Sequence, residues 1–135
     1  MRTPLALAAL VALAATPALA VDDTKLQERY SPAFDTCLES PEGQSTAGMV
    51  QCIGVELAVQ DKALNAAYRD LTSGMNARQK ANLVKAQRAW IAFRDADCQA
   101  RYDPDWGTIS TLNANMCMLH RTVERTIELE EFLAD

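Results

Sequence analysis

The sequence predicts an all-α fold: a small disulfide-bonded bundle of three long helices plus a short N-terminal helix. Three observations predict it. Apolar residues recur every three or four positions through three long segments, which is the spacing of one helix face. No stretch alternates apolar and polar residues as a half-buried strand would. Four cysteines, none at CxxC spacing, stand in a chain that opens with an export signal, so they read as two disulfides.

Residues 1–20 form the predicted signal peptide. Arg2 is a short basic start, Leu5 to Ala15 is an unbroken apolar run, and Pro17-Ala18-Leu19-Ala20 ends in the small-x-small pattern of a cleavage site. The run is too short to cross a bilayer as a mature helix. Cleavage after Ala20 leaves residues 21–135 as a single domain, periplasmic or secreted. The first cysteine is Cys37, far from the cleavage site, so no membrane anchor is expected afterwards. Loss of Arg2 takes one positive charge from the formal −5 and leaves −6. An acidic surface argues against nucleic acid and anionic lipid, and favours basic partners.

Residues 21–40 hold one short predicted helix, which starts after Ser31 with Pro32 in its first turn and carries Phe34 and Cys37. Ser40-Pro41-Glu42-Gly43-Gln44 breaks the chain. A long helix is predicted over residues 46–73, with Met49, Ile53, Leu57, Leu64, Tyr68 and Leu71 on one face. Gly48 and Gly54 weaken its start by about 1 kcal/mol each, so that end is expected to depend on a Cys37–Cys52 bridge. Gly74 ends it, and Asn76 with Gln79 forms a capping box for the next helix, giving an antiparallel pair.

That next helix is predicted over residues 77–102. Leu83, Ala86, Trp90, Phe93 and Asp97 form its stripe, widened by Val84, Ile91 and Cys98. So broad a face predicts a core helix wedged between two neighbours. Asp103-Pro104-Asp105-Trp106-Gly107 stops it. The last helix starts near Thr108 or Ser110 and carries Ile109, Leu112, Met116, Leu119, Val123, Thr126 and Glu130 on one side. Glu128, Glu130, Glu131 and Asp135 oppose the helix dipole at its end, which predicts fraying. Of the three possible disulfide pairings, Cys37–Cys52 with Cys98–Cys117 is favoured, because each closes a short loop across a predicted turn. Each is worth about 3 kcal/mol.

The residues point away from catalysis. His120 is the only histidine, with no Cys, Asp or Glu at metal spacing on its face, so no metal and no cofactor is expected. Ser31, Ser40, Ser45, Ser73 and Ser110 lack the context of an activated nucleophile. The acid pairs Asp95/Asp97 and Asp103/Asp105 are expected by chance on an acidic surface. A glycosidase needs two acids with opposed environments in a cleft that so small a bundle rarely makes. A polar set beside the core stripes is more specific. Asp61 and Asn65 lie one turn apart, Gln87 and Arg94 flank Trp90, and Thr122 and Arg125 share the last helix. Such a set either locks helix register through hydrogen bonds or brings Arg94 or Arg125 to the surface for a partner. The connection also stands out: Tyr102, Asp103, Asp105 and Trp106 gather two aromatics and two acids around Pro104, flanked by Cys98 and Cys117. It is a candidate partner-binding loop, against the plainer reading of turn residues with Trp106 folded back on the bundle.

Three segments carry a resemblance. Asp61-x-x-Leu64-Asn65-x-x-Tyr68-x-x-Leu71 is followed by Leu83-x-x-x-Gln87-x-x-Trp90-x-x-Phe93-Arg94-Asp95-x-x-Cys98, then Cys117 with Thr122-x-x-Arg125-x-x-x-Leu129. From about Cys37 to Leu129 the chain resembles the LprI-type lysozyme inhibitor family. The resemblance implies an inhibitor of lysozyme, a peptidoglycan muramidase, that acts in the bacterial envelope by binding a protein partner. It carries no inhibitory residues over, and the missing lipidation cysteine departs from the lipoprotein members. Two other expectations remain open: an envelope structural or adaptor protein, and an immunity protein against a cell-wall-degrading toxin.

Overall fold

The computed structural model describes residues 23–132; the predicted signal peptide and Asp135 lie outside the described residues. The described chain is helical, with five helices: α1 (Asp23–Gln27), α2 (Pro32–Glu39), α3 (Thr46–Ser73), α4 (Ala77–Gln99) and α5 (Thr108–Glu131). Single 3₁₀ turns sit at Glu42–Gln44 and Pro104–Trp106. Three long helices and α2 were expected. The five-residue α1 was not, since it is too short to show a period; it enters the core through Leu26.

The local signals explain most of the boundaries. Ser31 caps α2 by accepting from the Phe34 N–H, with Pro32 in the first turn. Ser45 caps α3 by accepting from the Gly48 N–H at 3.0 Å. Asn76 and Gln79 close the predicted capping box reciprocally at 3.0 Å. α4 ends at Gln99, three residues earlier than predicted. Gly48 needs a different reading from helix weakness alone. A Cβ there would stand 1.8 Å from the Glu42 carbonyl oxygen, so its bareness is what seats the 3₁₀ turn on α3.

Both favoured disulfides are present, Cys37–Cys52 joining α2 to α3 and Cys98–Cys117 joining α4 to α5. The cross-links and the core contacts fix the directions. Ile53 meets Leu119 and Val123 at one level, Leu64 and Leu71 share a cluster with Leu129 at the next, and Cys98 and Gln87 of α4 reach back to Cys117 and Arg125. α3 and α5 therefore run side by side in the same direction, with α4 antiparallel to both.

The core helix is α5 and not α4. On α4 only Leu83 and Cys98 are buried, while Ile91 is 40% and Phe93 54% exposed and Trp90 is half-buried. α5 instead buries Ser110, Cys117, Leu119, Thr122, Val123, Thr126, Ile127 and Leu129. Sequence pattern hid this because Ser110, Thr122 and Thr126 read as polar. Each hydroxyl satisfies itself locally: Thr122 donates to Met118 O (2.8 Å), Thr126 to Thr122 O (2.9 Å) and Ser110 to Asp103 O (2.6 Å). Of the predicted α5 stripe, Ile109 and Glu130 face outward.

The acidic end of α5 is helical through Glu131. There α1 and the residues after it supply the cations: Lys25 bonds Glu131 at 3.0 Å, and Arg29 forks onto Glu130. That fork raises the Arg29 pKa above its ordinary value through its hydrogen bond to Glu130. Two further polar residues sit in the core unforeseen. Glu56, 1% exposed, accepts from Ser31 N (2.9 Å), Ser31 Oγ (2.5 Å) and Gln60 Nε2 (2.7 Å), which ties the start of α2 to the middle of α3.

Candidate functional site

Two surface regions gather the residues singled out above. The first is the connection between α4 and α5. Asp103 caps the 3₁₀ turn, its Oδ1 accepting from the Asp105 N–H at 2.9 Å, and its carbonyl receives the Ser110 hydroxyl. Gly107 takes φ 67°, ψ −153°, a conformation that side chains oppose, and so releases the chain straight into α5. The Cys98–Cys117 bridge, Cα atoms 5.4 Å apart, clamps both flanks. On this frame Trp106 is 66% exposed and Tyr102 43%. Trp106 does not fold back on the bundle.

Trp106 stands at the rim of an open concavity of about 700 Å³ between the connection and α5, reaching Met116, His120 and Glu124. Its cations are matched. Arg121 binds Asp97 (3.2 Å) and Glu124 (3.0 Å), and Arg101 lies 3.7 Å from Asp97. Burial draws the Arg121 pKa down, but its bonds to Glu124 and Asp97 outweigh that and leave it raised. With these pairs closed, Asp103 and Asp105 are the excess charge of the region. Asp97, Cys98 and Cys117 also come close together, yet both sulfurs are spent in the disulfide. His120 is exposed and stacks on Tyr30, centroids 6.2 Å apart.

The second region collects the polar set. Asp61, Asn65 and Tyr68 of α3 and Gln87, Trp90 and Arg94 of α4 line one hollow of about 250 Å³. Behind it, α5 contributes Thr122 and Arg125: Arg94 Nη1 lies 3.4 Å from Thr122 Oγ1, and Arg125 Nε donates to Gln87 Oε1 at 3.0 Å. Both guanidinium carbons lie close to the Trp90 ring, 5.0 Å for Arg94 and 5.9 Å for Arg125, near enough for cation–π attraction. Asp95 and Glu128 pair with the two arginines. Of the expected polar set, hydrogen bonds between α4 and α5 join Gln87 to Arg125 and Arg94 to Thr122. They do not extend to α3, because Asn65 donates only to Asp61 O of its own helix and the Asp61 carboxylate meets no partner among the described residues.

Comparison with known proteins bears on both regions. A family model described as Lysozyme inhibitor LprI matches residues 37–129, which takes in all four cysteines, the connection and the polar set. An uncharacterised protein of Rhizobium meliloti is 30% identical over 96 residues, covering 61% of this chain and 69% of its own length. No solved structure matches the chain.

Proposed function

The chain belongs to the lysozyme inhibitor LprI family, and from that premise we propose that it is an exported protein that inhibits a muramidase by surface binding. The observation that carries this reading is the exposed Trp106, held on a proline-glycine turn that also carries two acids and is clamped by a disulfide. A muramidase groove accepts sugar rings through aromatic stacking and polar contacts. Trp106 supplies a flat anchor for such a groove, and Asp105, with the Asp103 oxygen that the cap leaves unused, accepts hydrogen bonds from its walls. Because the turn is already fixed, little conformational entropy is lost on docking. Net charge of −6 after cleavage, worked out above, draws the chain toward a basic enzyme and raises the association rate. Among the described residues, no helix is long and apolar enough to cross a membrane, which fits a binding protein delivered into the envelope.

The test is a titration of muramidase activity on cell-wall suspensions with the purified protein, beside a pull-down against envelope proteins. Inhibition saturating at one protein per enzyme supports the proposal. Undiminished hydrolysis with the protein in large excess, together with capture of some other envelope protein, removes it.

A further inference from the structure

The hollow between α3 and α4 carries hydrogen-bonding groups that the fold leaves unused. On the α3 side these are acceptors. The Asp61 carboxylate has no partner among the described residues, and Asn65 spends its amide N–H on Asp61 O, leaving Oδ1 free. On the α4 side they are donors. Gln87 has its oxygen taken by Arg125, and among the described residues neither its Nε2 nor the Trp90 indole N–H has a partner. Gln87 and Trp90 are half-buried, yet neither nitrogen is sealed from solvent; among the described residues only the Tyr30 hydroxyl is both sealed and unpartnered. Leu64, Tyr68, Ile91 and Arg94, whose guanidinium is bonded to Asp95 and Thr122, complete the lining.

Unused acceptors on one helix and unused donors on the other, with Leu64 and Ile91 in the same lining, have a definite complement. A secondary amide puts its N–H toward the acceptors and its C=O toward the donors, while its methyl covers the apolar groups. Ring hydroxyls, which donate and accept at once, satisfy whichever groups remain. The volume of about 250 Å³ suits a single sugar ring with its substituent, and not a helix or an extended strand. We propose that this hollow is a binding subsite for an N-acetylated amino sugar of a glycan chain. The Asp61 carboxylate and Asn65 Oδ1 take the acetamido N–H and a neighbouring hydroxyl, and Gln87 Nε2 and Trp90 Nε1 hold the acetamido oxygen. Arg94 and Arg125 lie over the Trp90 ring, 5.0 and 5.9 Å from its centroid, and hold the indole at the hollow. The site lies on a different pair of helices from the connection that carries Trp106, so it stands whether or not the chain inhibits a muramidase.

The experiment titrates the isotope-labelled protein with a trimer of N-acetylglucosamine and, separately, with a trimer of glucose, following the indole N–H resonances of the chain's two tryptophans by NMR. The Trp90 signal is expected to move saturably with the N-acetylated trimer while that of Trp106 stays in place, and the glucose trimer should bind at least about tenfold more weakly. Asp61→Ala and Gln87→Ala, both at positions outside the core, should each weaken binding about tenfold or more with the helical circular dichroism unchanged. Several results overturn the proposal: no saturable shift up to the solubility of the trimer, equal shifts with both trimers, or unchanged affinity in both variants. Tighter binding of an acetylated dipeptide amide than of the sugar also overturns it, by making the hollow a peptide site.

Discussion

Replacing Glu56 by alanine tests how the first third of the chain is held. The carboxylate is 1% exposed and accepts three hydrogen bonds, from Ser31 N, Ser31 Oγ and Gln60 Nε2. A hydrogen bond to a charged group contributes about 1.5–3 kcal/mol, and the full sum is not lost on truncation. Gln60 keeps its second bond, to Arg29 O at 2.7 Å, and Ser31 is only half-buried, so water reaches its freed groups. Removing the shielded carboxylate therefore leaves about one strong interaction and a small cavity uncompensated, a loss of about 3 kcal/mol. Glu56→Gln retains an acceptor for Ser31 N and should cost about half as much. Urea unfolding at constant slope measures both. The Cys37–Cys52 bridge keeps α2 tethered, so hydrogen exchange should show the loss concentrated in α2 and the start of α3. A loss below about 0.5 kcal/mol for Glu56→Ala, or equal losses for both variants, would refute the idea that this carboxylate fastens α2 to the bundle.

Trp90→Ala should destabilise the chain by about 2 kcal/mol and Trp106→Ala by under about 0.5 kcal/mol, because the first ring is half-buried and the second 66% exposed; denaturant midpoints decide it. Tyr30→Phe should be neutral or stabilising by up to about 1 kcal/mol, since the Tyr30 hydroxyl is buried without a partner among the described residues. Burial, then Glu56 and Glu124, push the Tyr30 pKa from 10.0 to about 12. The folded state holds this proton more tightly than the unfolded one. The associated stability is complete below the ordinary tyrosine pKa and drains away as pH rises toward about 12, which tyrosinate absorbance and alkaline melts follow in parallel. Removing the bridge with Cys98→Ala and Cys117→Ala, a separation of 19 residues, should cost about 3 kcal/mol in thermal or urea melts.

How much of this was legible in the sequence depends on where each residue satisfies its polar groups. Ser31, Pro32, Asn76 and Gln79 announce helix ends because caps are settled within a few residues, and the structure places those ends there. The cysteine pairs were legible for the same reason, each closing a local loop. The identity of the core helix was not. Trp90, Phe93 and Ile91 outweigh Thr122 and Thr126 in any apolar count, yet the threonines are buried with their hydroxyls on their own helix, while Phe93 is exposed. Glu56 and Gln60 were equally hidden, since the partners that make their burial tolerable lie on the far side of the Cys37–Cys52 loop. In the candidate sites, residue spacing brought Asp61, Asn65, Gln87 and Trp90 to notice but could not say that Asp61 and Asn65 make no bond to α4 or α5. That left the hollow open.

The claim that the α4–α5 connection is the inhibitory surface is tested most directly by one comparison. Muramidase inhibition is measured with the wild-type chain and with the triple variant Asp103→Ala, Asp105→Ala, Trp106→Ala, at low and at physiological salt. Because Asp103 also caps its own turn, the double variant Asp105→Ala, Trp106→Ala accompanies it, with helicity and both disulfides verified. The account predicts that wild-type inhibition weakens as salt rises and that both variants lose it at least about tenfold. Inhibition by the variants at wild-type strength, or wild-type affinity that ignores salt, would contradict it and place the binding face elsewhere on the bundle.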